Sequence, residues 1–354
     1  MEAVNHVEVA IVGGGAAGIA LATSLLKRAP ELQIAVIDPA DMHYYQPGWT
    51  MVGGGIFDLP QTGRPMASVM PKEVIWMKHA VIELDAANDT LGLDDGSTLT
   101  YDRLVVCPGL RLNWAGVEGL EEHLGRNGVT SNYNYKTASY TWELIQNLKS
   151  GKALFTQPPM PIKCAGAPQK ALYLSGDYWA RNGRIGDIDI HFHISTPGLF
   201  GVSAYVPALM KYIERYRANL HFEHTLVKVN GDTKIATFKD DQGALHEVDF
   251  DMIHVCPPQC APDFIRQSAL SDDTGWVDVD QQTLQSKRFD NVWSLGDVMN
   301  APNAKTAAAA RAQAPVVAHN LLQQAGKVAG TCHYNGYGSC PLTVERGKIV
   351  LAEF

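Results

Sequence analysis

The first forty residues constrain this chain most. Val7-Glu8-Val9-Ala10-Ile11-Val12 reads as a buried strand, and Gly13-Gly14-Gly15-Ala16-Ala17-Gly18 follows it at once. The spacing predicts a helix over 16–28 and a second strand over 33–37 that ends at Asp38, 20 residues past Gly18. Gly13, Gly15 and Gly18 form G-x-G-x-x-G, and the acid completes a dinucleotide-binding fingerprint. The glycines permit a tight turn and let the backbone approach a pyrophosphate. The helix N-terminus adds unpaired N–H groups and partial positive charge, and Asp38 suits the adenosine ribose. A chain that starts this way is expected to be α/β, with a parallel sheet built around that turn.

The later chain repeats the pattern with one change. Short strands are expected over 80–85 and 90–93, a turn at Asp95-Gly96, and a strand over 98–106 that ends in Cys107-Pro108-Gly109. Residues 108–132 are Gly-rich and read as a domain crossing. Then come a helix over 137–148, a strand over 152–157, a helix over 170–182 and a strand over 187–194. Residues 204–219 read as an amphipathic helix with Leu209, Ile213 and Tyr216 on one face. Residues 226–238 and 244–250 read as a hairpin around Asp240-Asp241-Gln242-Gly243, and 252–256 as a strand. The expected architecture is two doubly wound, Rossmann-like units of the disulfide-reductase type. Residues 1–112 and 258–325 form the first, 113–257 the second, and 326–354 begin a C-terminal region.

In the second unit the phosphate turn is gone. Its place is held by Gln157-Pro158-Pro159-Met160-Pro161-Ile162-Lys163-Cys164-Ala165-Gly166, with one glycine and three prolines before the cysteine. A pyrophosphate cannot approach this backbone in the usual way. No acid ends the next strand either, where His191, His193 and Ser195 alternate up to Thr196-Pro197. NAD(P)H binding by this unit is not expected. What stands there instead is a thiol between prolines, with Lys163 and Lys170 nearby to lower its pKa. Lys170, read as the start of the following helix, is the favoured partner. His191 and His193 share a strand face and read as core or surface histidines, with a proton relay as the alternative.

The remaining signals point to a flavin dinucleotide. His43-Tyr44-Tyr45-Gln46-Pro47-Gly48-Trp49 either lines a flavin pocket or packs as a surface loop. Phe289 to Val298 reads as a strand ending in Gly296-Asp297, a carboxylate suited to ribityl hydroxyls. Asn303-Ala304-Lys305-Thr306 opens an Ala-rich helix reaching about residue 324, whose N–H groups and Lys305 suit negative charge at a flavin edge. The expected cofactor is FAD, bound by Gly13, Gly15, Ala16, Ala17, Gly18, Asp38 and Pro39. Tyr45, Gln46, Val81, Pro108, Gly109, Gly296, Asp297, Lys305 and Thr306 complete the set.

Cys107 reads as a buried structural thiol. Cys256 and Cys260, separated by prolines and a glutamine, read as structural or incidental, with a redox pair as the alternative. Zinc at that pair would need two more ligands, and none is seen nearby, so no metal site is expected. A net charge of −8 argues against nucleic acid as the main partner. The apolar run over 16–26 is too short to span a bilayer, and no basic targeting region precedes His6.

Several of these segments resemble the sulfide:quinone oxidoreductases, and most closely the branch that includes the mitochondrial enzyme. They are His43-Tyr44-Tyr45-Gln46-Pro47, the run from Pro161 through Cys164 to Lys170, Lys305-Thr306-Ala307-Ala308-Ala309, Tyr337-Gly338-Ser339-Cys340-Pro341-Leu342 and Val350-Leu351-Ala352-Glu353-Phe354. The match runs from about residue 7 to the end. The cysteine segments are specific, whereas the FAD elements belong to the whole superfamily. The resemblance implies that Cys164 and Cys340 are a redox pair beside FAD, with Cys164 facing the flavin and Cys340 carrying a persulfide. Other branches use a third cysteine in the first unit, and none is suitably placed here. The resemblance implies hydrogen sulfide and a quinone as substrates. A small sulfur acceptor (sulfite, a thiol or cyanide) would remove the sulfane sulfur. It also implies peripheral contact with a membrane through a C-terminal segment that this sequence does not contain. The membrane would be a bacterial inner membrane or that of an organelle, and a homo-oligomer is compatible with this. Three rivals remain at this stage: the flavin subunit of a cytochrome-linked sulfide dehydrogenase, an NADH:quinone oxidoreductase, and a non-catalytic flavin redox sensor.

Overall fold

The computed structural model describes residues 4–301 and 305–354. The expected helix opening at Asn303-Ala304, and the first residues of the N-terminus, Met1 to Ala3, fall outside the described residues.

His6–Val12 lies between Ile34–Ile37 and Thr98–Val106, in parallel with both. Ile75–Met77 extends the sheet beyond Ile34–Ile37. On the other side Thr90–Leu93 and Val81–Asp85 add an antiparallel meander, while Val292–Ser294 runs parallel to the C-terminal half of Thr98–Val106. Val9, Ala10 and Ile11, and all of Ile34–Ile37, are buried, because helices or loops cover both faces. The register Val12↔Ile37 ends both strands at one edge, which sets the Gly13 turn beside Asp38.

The second sheet is parallel throughout, in the order Val129–Thr130, Met252–His254, Gly151–Gln157, Ile188–Ile194, Asn219–Phe222. Two expectations fail at its edge. The amphipathic helix is Val206–Arg215, shorter than the predicted 204–219. Arg217 takes a positive φ of 53°, which turns the chain into the strand Asn219–Phe222. Leu209, Ile213 and Tyr216 are buried as expected. Residues 226–238 are two strands, Thr225–Asn230 and Ile235–Lys239, because Asn230 Oδ1 accepts the N–H groups of Asp232 and Thr233 and closes a turn. With Leu245–Asp249 they make a three-stranded antiparallel sheet.

Two helices also start differently. The helix after the cysteine is Ala167–Arg181, so it begins before Lys170 and takes Pro168 in its first turn, where a missing N–H is harmless. Pro47–Gly53 is a helix rather than a loop. Its glycines fit close packing: a Cβ on Gly53 would meet Asn132, and the neighbouring Gly54 abuts Leu174.

The chain closes with the hairpin Ser339–Glu345 and Lys348–Glu353. Leu342 and Val344 join the core under the cysteine helix. Tyr216 Oη donates to the Val344 carbonyl at 2.7 Å, and Asp177 Oδ2 accepts the Arg346 N–H at 3.1 Å. Among the described residues no helix is long and apolar enough to cross a membrane.

Candidate active site

Gly13 sits at φ 108°, and a Cβ there would meet the Cys107 carbonyl oxygen at 2.4 Å. Only glycine fits that turn. Gly15 is different: a Cβ there would meet nothing within 4 Å, so open space faces the turn. No side chain caps the helix Ala16–Leu26, which leaves the first-turn N–H groups of Ala16, Ala17 and Gly18 for an anion. Asp38 accepts the Gly14 N–H at 2.7 Å and the Ala40 N–H at 2.8 Å, which fixes its carboxylate beside the turn. Pro39 follows it at the surface. An uncapped helix N-terminus, open space and a fixed carboxylate fit the dinucleotide half of FAD.

Pro108 abuts Gly13, and Gly109 follows at φ 77°. Gly296 packs against Ala17, so the strand end carrying Asp297 lies against the same helix start. Burial raises the pKa of Asp297, with Lys163 and Lys305 opposing. Lys305 is buried; its Nζ donates to the carbonyls of Asp297 at 2.7 Å and Met299 at 2.8 Å, over the Trp276 ring. Burial lowers its pKa to about 8. Thr306 is occupied as the N-cap of Ala307–Gln324, accepting the Ala309 N–H at 3.2 Å. Tyr45 and Gln46 are exposed before the helix Pro47–Gly53, and Gln46 accepts from Lys163 Nζ. The Val81 side chain lies in the core, on a strand paired with Thr90–Leu93.

The cysteine loop joins these pieces. The Cys164 N–H donates to the Lys305 carbonyl at 2.9 Å, and the Lys163 N–H donates to Gln259 Oε1 at 2.7 Å. The second unit's turn is thereby stitched to the residue expected at the flavin edge. Cys164 takes φ 54°, a left-handed conformation uncommon for a side-chain-bearing residue. Its Sγ lies 3.0 Å from Cys340 Sγ, about 1 Å more than a disulfide bond. Gly166 makes that approach feasible, since a Cβ there would stand 2.6 Å from Cys340 Sγ.

Lys170 Nζ lies 3.6 Å from Cys164 Sγ and is 4% exposed. The hydrogen bond from Cys340, then the Lys170 charge and the Gly166 N–H, outweigh burial and lower the Cys164 pKa. The same shared proton, with burial, raises Cys340 above its ordinary range. Burial pulls Lys170 down, but the two sulfurs outweigh it and its pKa is raised. Lys163 does not contact the sulfur; it points to Gln46, with burial lowering its pKa. Cys107 is buried with a raised pKa, and Cys256 is pushed up to about 12 by burial.

Gln259 and Tyr133, whose Oη donates to the Lys163 carbonyl at 3.4 Å, escaped the sequence reading. Neither carries a spacing signal, because both reach the loop from distant segments.

Residues 7–142 match the pyridine nucleotide-disulphide oxidoreductase family. The chain is 42% identical to the mitochondrial sulfide:quinone oxidoreductase of Dictyostelium discoideum, over 99% of this chain and 78% of that one. It is 38% identical to the mitochondrial sulfide:quinone oxidoreductase of Mus musculus over the same shares. Among solved structures, the sulfide:quinone oxidoreductase of Aquifex aeolicus superposes with a TM-score of 0.85 at 19% identity, covering 99% of this chain and 87% of that one. At that identity the likeness carries the fold, which is the two-unit α/β fold expected from sequence.

Proposed function

The chain belongs to the sulfide:quinone oxidoreductase family, and from that premise we propose that Cys164 and Cys340 are its redox pair and Lys170 the cation that keeps Cys164 ionised. The protein is an FAD-dependent enzyme that oxidises hydrogen sulfide, with the electrons passing to a quinone. One observation carries the residue assignment: two sulfurs 3.0 Å apart, with a buried ammonium 3.6 Å from one of them.

In the oxidised pair, hydrosulfide attacks Cys340 Sγ. A sulfur–sulfur bond forms there as the Cys164–Cys340 bond breaks, and the bonding electron pair leaves on Cys164. Cys164 is the favoured leaving group because the buried Lys170 ammonium, 3.6 Å from its sulfur, stabilises the thiolate that departs. Sulfide sulfur is oxidised to the sulfane level, and the cysteine pair takes up two electrons. The persulfide left on Cys340 passes its outer sulfur to a small acceptor, such as sulfite, a thiol or cyanide. FAD, when bound, would supply the two-electron acceptor beside Cys164 and the link to quinone; once Cys340 has given up its outer sulfur, the two thiolates re-form their disulfide as they lose that electron pair. Gly13, Gly15, Ala16, Ala17 and Gly18 would hold its pyrophosphate, and Asp38 with Pro39 the adenosine ribose. Pro108, Gly109, Val81 and Asp297 with Gly296 would line its length. Tyr45, Gln46, Lys305 and Thr306 would lie around the flavin.

We assign the FAD unit to 1–112 and 258–325, the cysteine unit to 113–257, and the hairpin that completes the site to 326–354. The two sheets and the docking of the hairpin on the cysteine helix support this division. Peripheral attachment to an organellar membrane, where a quinone is met, fits the mitochondrial relatives.

Stopped-flow bleaching of the flavin by sulfide, without oxygen, tests the pair. Cys164→Ser and Cys340→Ser should keep FAD and lose bleaching by about a thousandfold or more, the scale of losing a covalent nucleophile. Bleaching of either variant at the normal rate would sink the assignment. NADH should leave the flavin oxidised, since the second unit has no phosphate turn.

A further inference from the structure

Three imidazoles gather at the edge of the second sheet, with no part in the chemistry above. His191 and His193 project from one face of Ile188–Ile194. The parallel register sets His221, on the edge strand Asn219–Phe222, opposite His193. The rings stack: His193 on His221 at 4.3 Å, His191 on His221 at 5.1 Å. His191 Nδ1 and His221 Nε2 are 2.8 Å apart and share a proton. One nitrogen from each of the three rings lies within 4.8 Å of the others.

His193 is 2% exposed, and neither of its ring nitrogens has a hydrogen-bond partner among the described residues. Phe238 stacks over it at 3.7 Å and closes the inner side. A buried imidazole with both nitrogens unpaired is costly unless something else satisfies it. His191 and His221 are only half-buried, so the cluster opens toward solvent on their side.

We propose that His191, His193 and His221 bind a divalent transition ion of the zinc class. Imidazole is its preferred ligand, and three histidines leave a fourth position for water. Bonds of about 2.0–2.1 Å in a tetrahedron space the nitrogens about 3.3 Å apart. The His191–His221 pair must therefore open by about half an ångström, and His193 must turn toward it. Asp189 Oδ2 lies 2.7 Å from His191 Nε2, although the angle is not that of a hydrogen bond. The ring turn that frees Nδ1 for the ion can align this contact, giving the carboxylate–histidine arrangement that steadies metal ligands. His224 and His246, the latter 2.7 Å from Asp240, stand one ring further out. The ion would staple the edge strand to its neighbour. No metal was expected from the sequence, where zinc was weighed only at Cys256 and Cys260 and the strand carrying His221 was not foreseen.

The test uses FAD-loaded enzyme with its cysteines oxidised, stripped by a chelator and titrated with Zn2+ by calorimetry, with Co2+ as a spectroscopic probe. One saturable ion per chain is expected, with a rise in thermal midpoint. The Co2+ spectrum should show visible bands of tetrahedral type and no thiolate-to-cobalt band. His191→Gln and His221→Gln should weaken binding by at least about tenfold, and Asp189→Asn by about 10–100-fold. His193 is buried in the core, so the two half-exposed histidines carry the test, with flavin content and near-ultraviolet dichroism reporting folding. Absence of saturable binding by the folded wild type overturns the proposal. So does full affinity in the His191→Gln/His221→Gln double variant, or a thiolate band placing the ion on cysteine.

Discussion

Lys170 lies in the first turn of the helix that follows Cys164, so one short stretch holds both the thiol and a nearby positive charge. Because it is 4% exposed, water screens the 3.6 Å contact with the sulfur only weakly. Replacing it with Met keeps the stem and removes the charge. The Cys164 pKa is lowered, first by the hydrogen bond from Cys340 and then by the Lys170 charge, which favours its thiolate. In Lys170→Met the midpoint for iodoacetamide alkylation of the reduced enzyme should move up by about 1–3 pH units. An unmoved midpoint would assign the lowering to Cys340 and the Gly166 N–H. Gly166 has an equally local task. Gly166→Ala puts a methyl 2.6 Å from Cys340 Sγ. It should slow sulfide oxidation strongly while FAD stays bound, and normal turnover would show that the sulfurs have more room than this geometry gives them.

At the scale of elements, the closing hairpin and the cysteine helix form one device. Cys340 reaches Cys164 only because Ser339–Glu345 lies against Ala167–Arg181, and Leu342, fully buried, is the central contact. Leu342→Ala should cost about 2–5 kcal/mol in denaturant unfolding. It should also lower the fraction of the cysteine pair recovered as disulfide after reoxidation, since the strand that presents Cys340 would loosen. A stability loss with pairing unchanged would mean that the polar ties from Tyr216 and Asp177 hold the strand alone.

At the scale of the whole molecule, two buried histidines make stability depend on pH. His193 is held neutral with a pKa of about 2, and burial takes His254 to about 4, both below the 6.5 of an unfolded histidine. Between those values the unfolded chain binds protons that the folded chain refuses, so stability is full above about pH 6.5 and is lost as pH falls. The thermal midpoint, measured with a chelator present, should drop from pH 7 to pH 5. His193→Phe, which keeps a ring to stack on Phe238, should flatten that drop. An equal drop in the variant would place the acid sensitivity elsewhere.

How much of this was legible depends on the distance over which each signal acts. The fingerprint at Gly13, Gly15, Gly18 and Asp38 is local: strand, turn, helix and acid follow within forty residues, so spacing alone foretold a dinucleotide turn. The loss of the second fingerprint, and the thiol in its place, were equally visible, because prolines deny a pyrophosphate its approach whatever lies around them. The edge strand with His221 was missed because only four alternating residues mark it, and a positive φ at Arg217 rather than a glycine ends the helix before it. What no spacing could supply was which groups meet. The Lys305 carbonyl receives the Cys164 N–H across 141 residues, Gln259 holds Lys163, and Cys340 comes to Cys164 across 176 residues. By itself, then, the sequence determined the fold class, the cofactor turn and the kind of chemistry. Packing alone set how near Lys170 and Cys340 come to the Cys164 sulfur, because burial and contact between distant segments exist only once the segments are brought together.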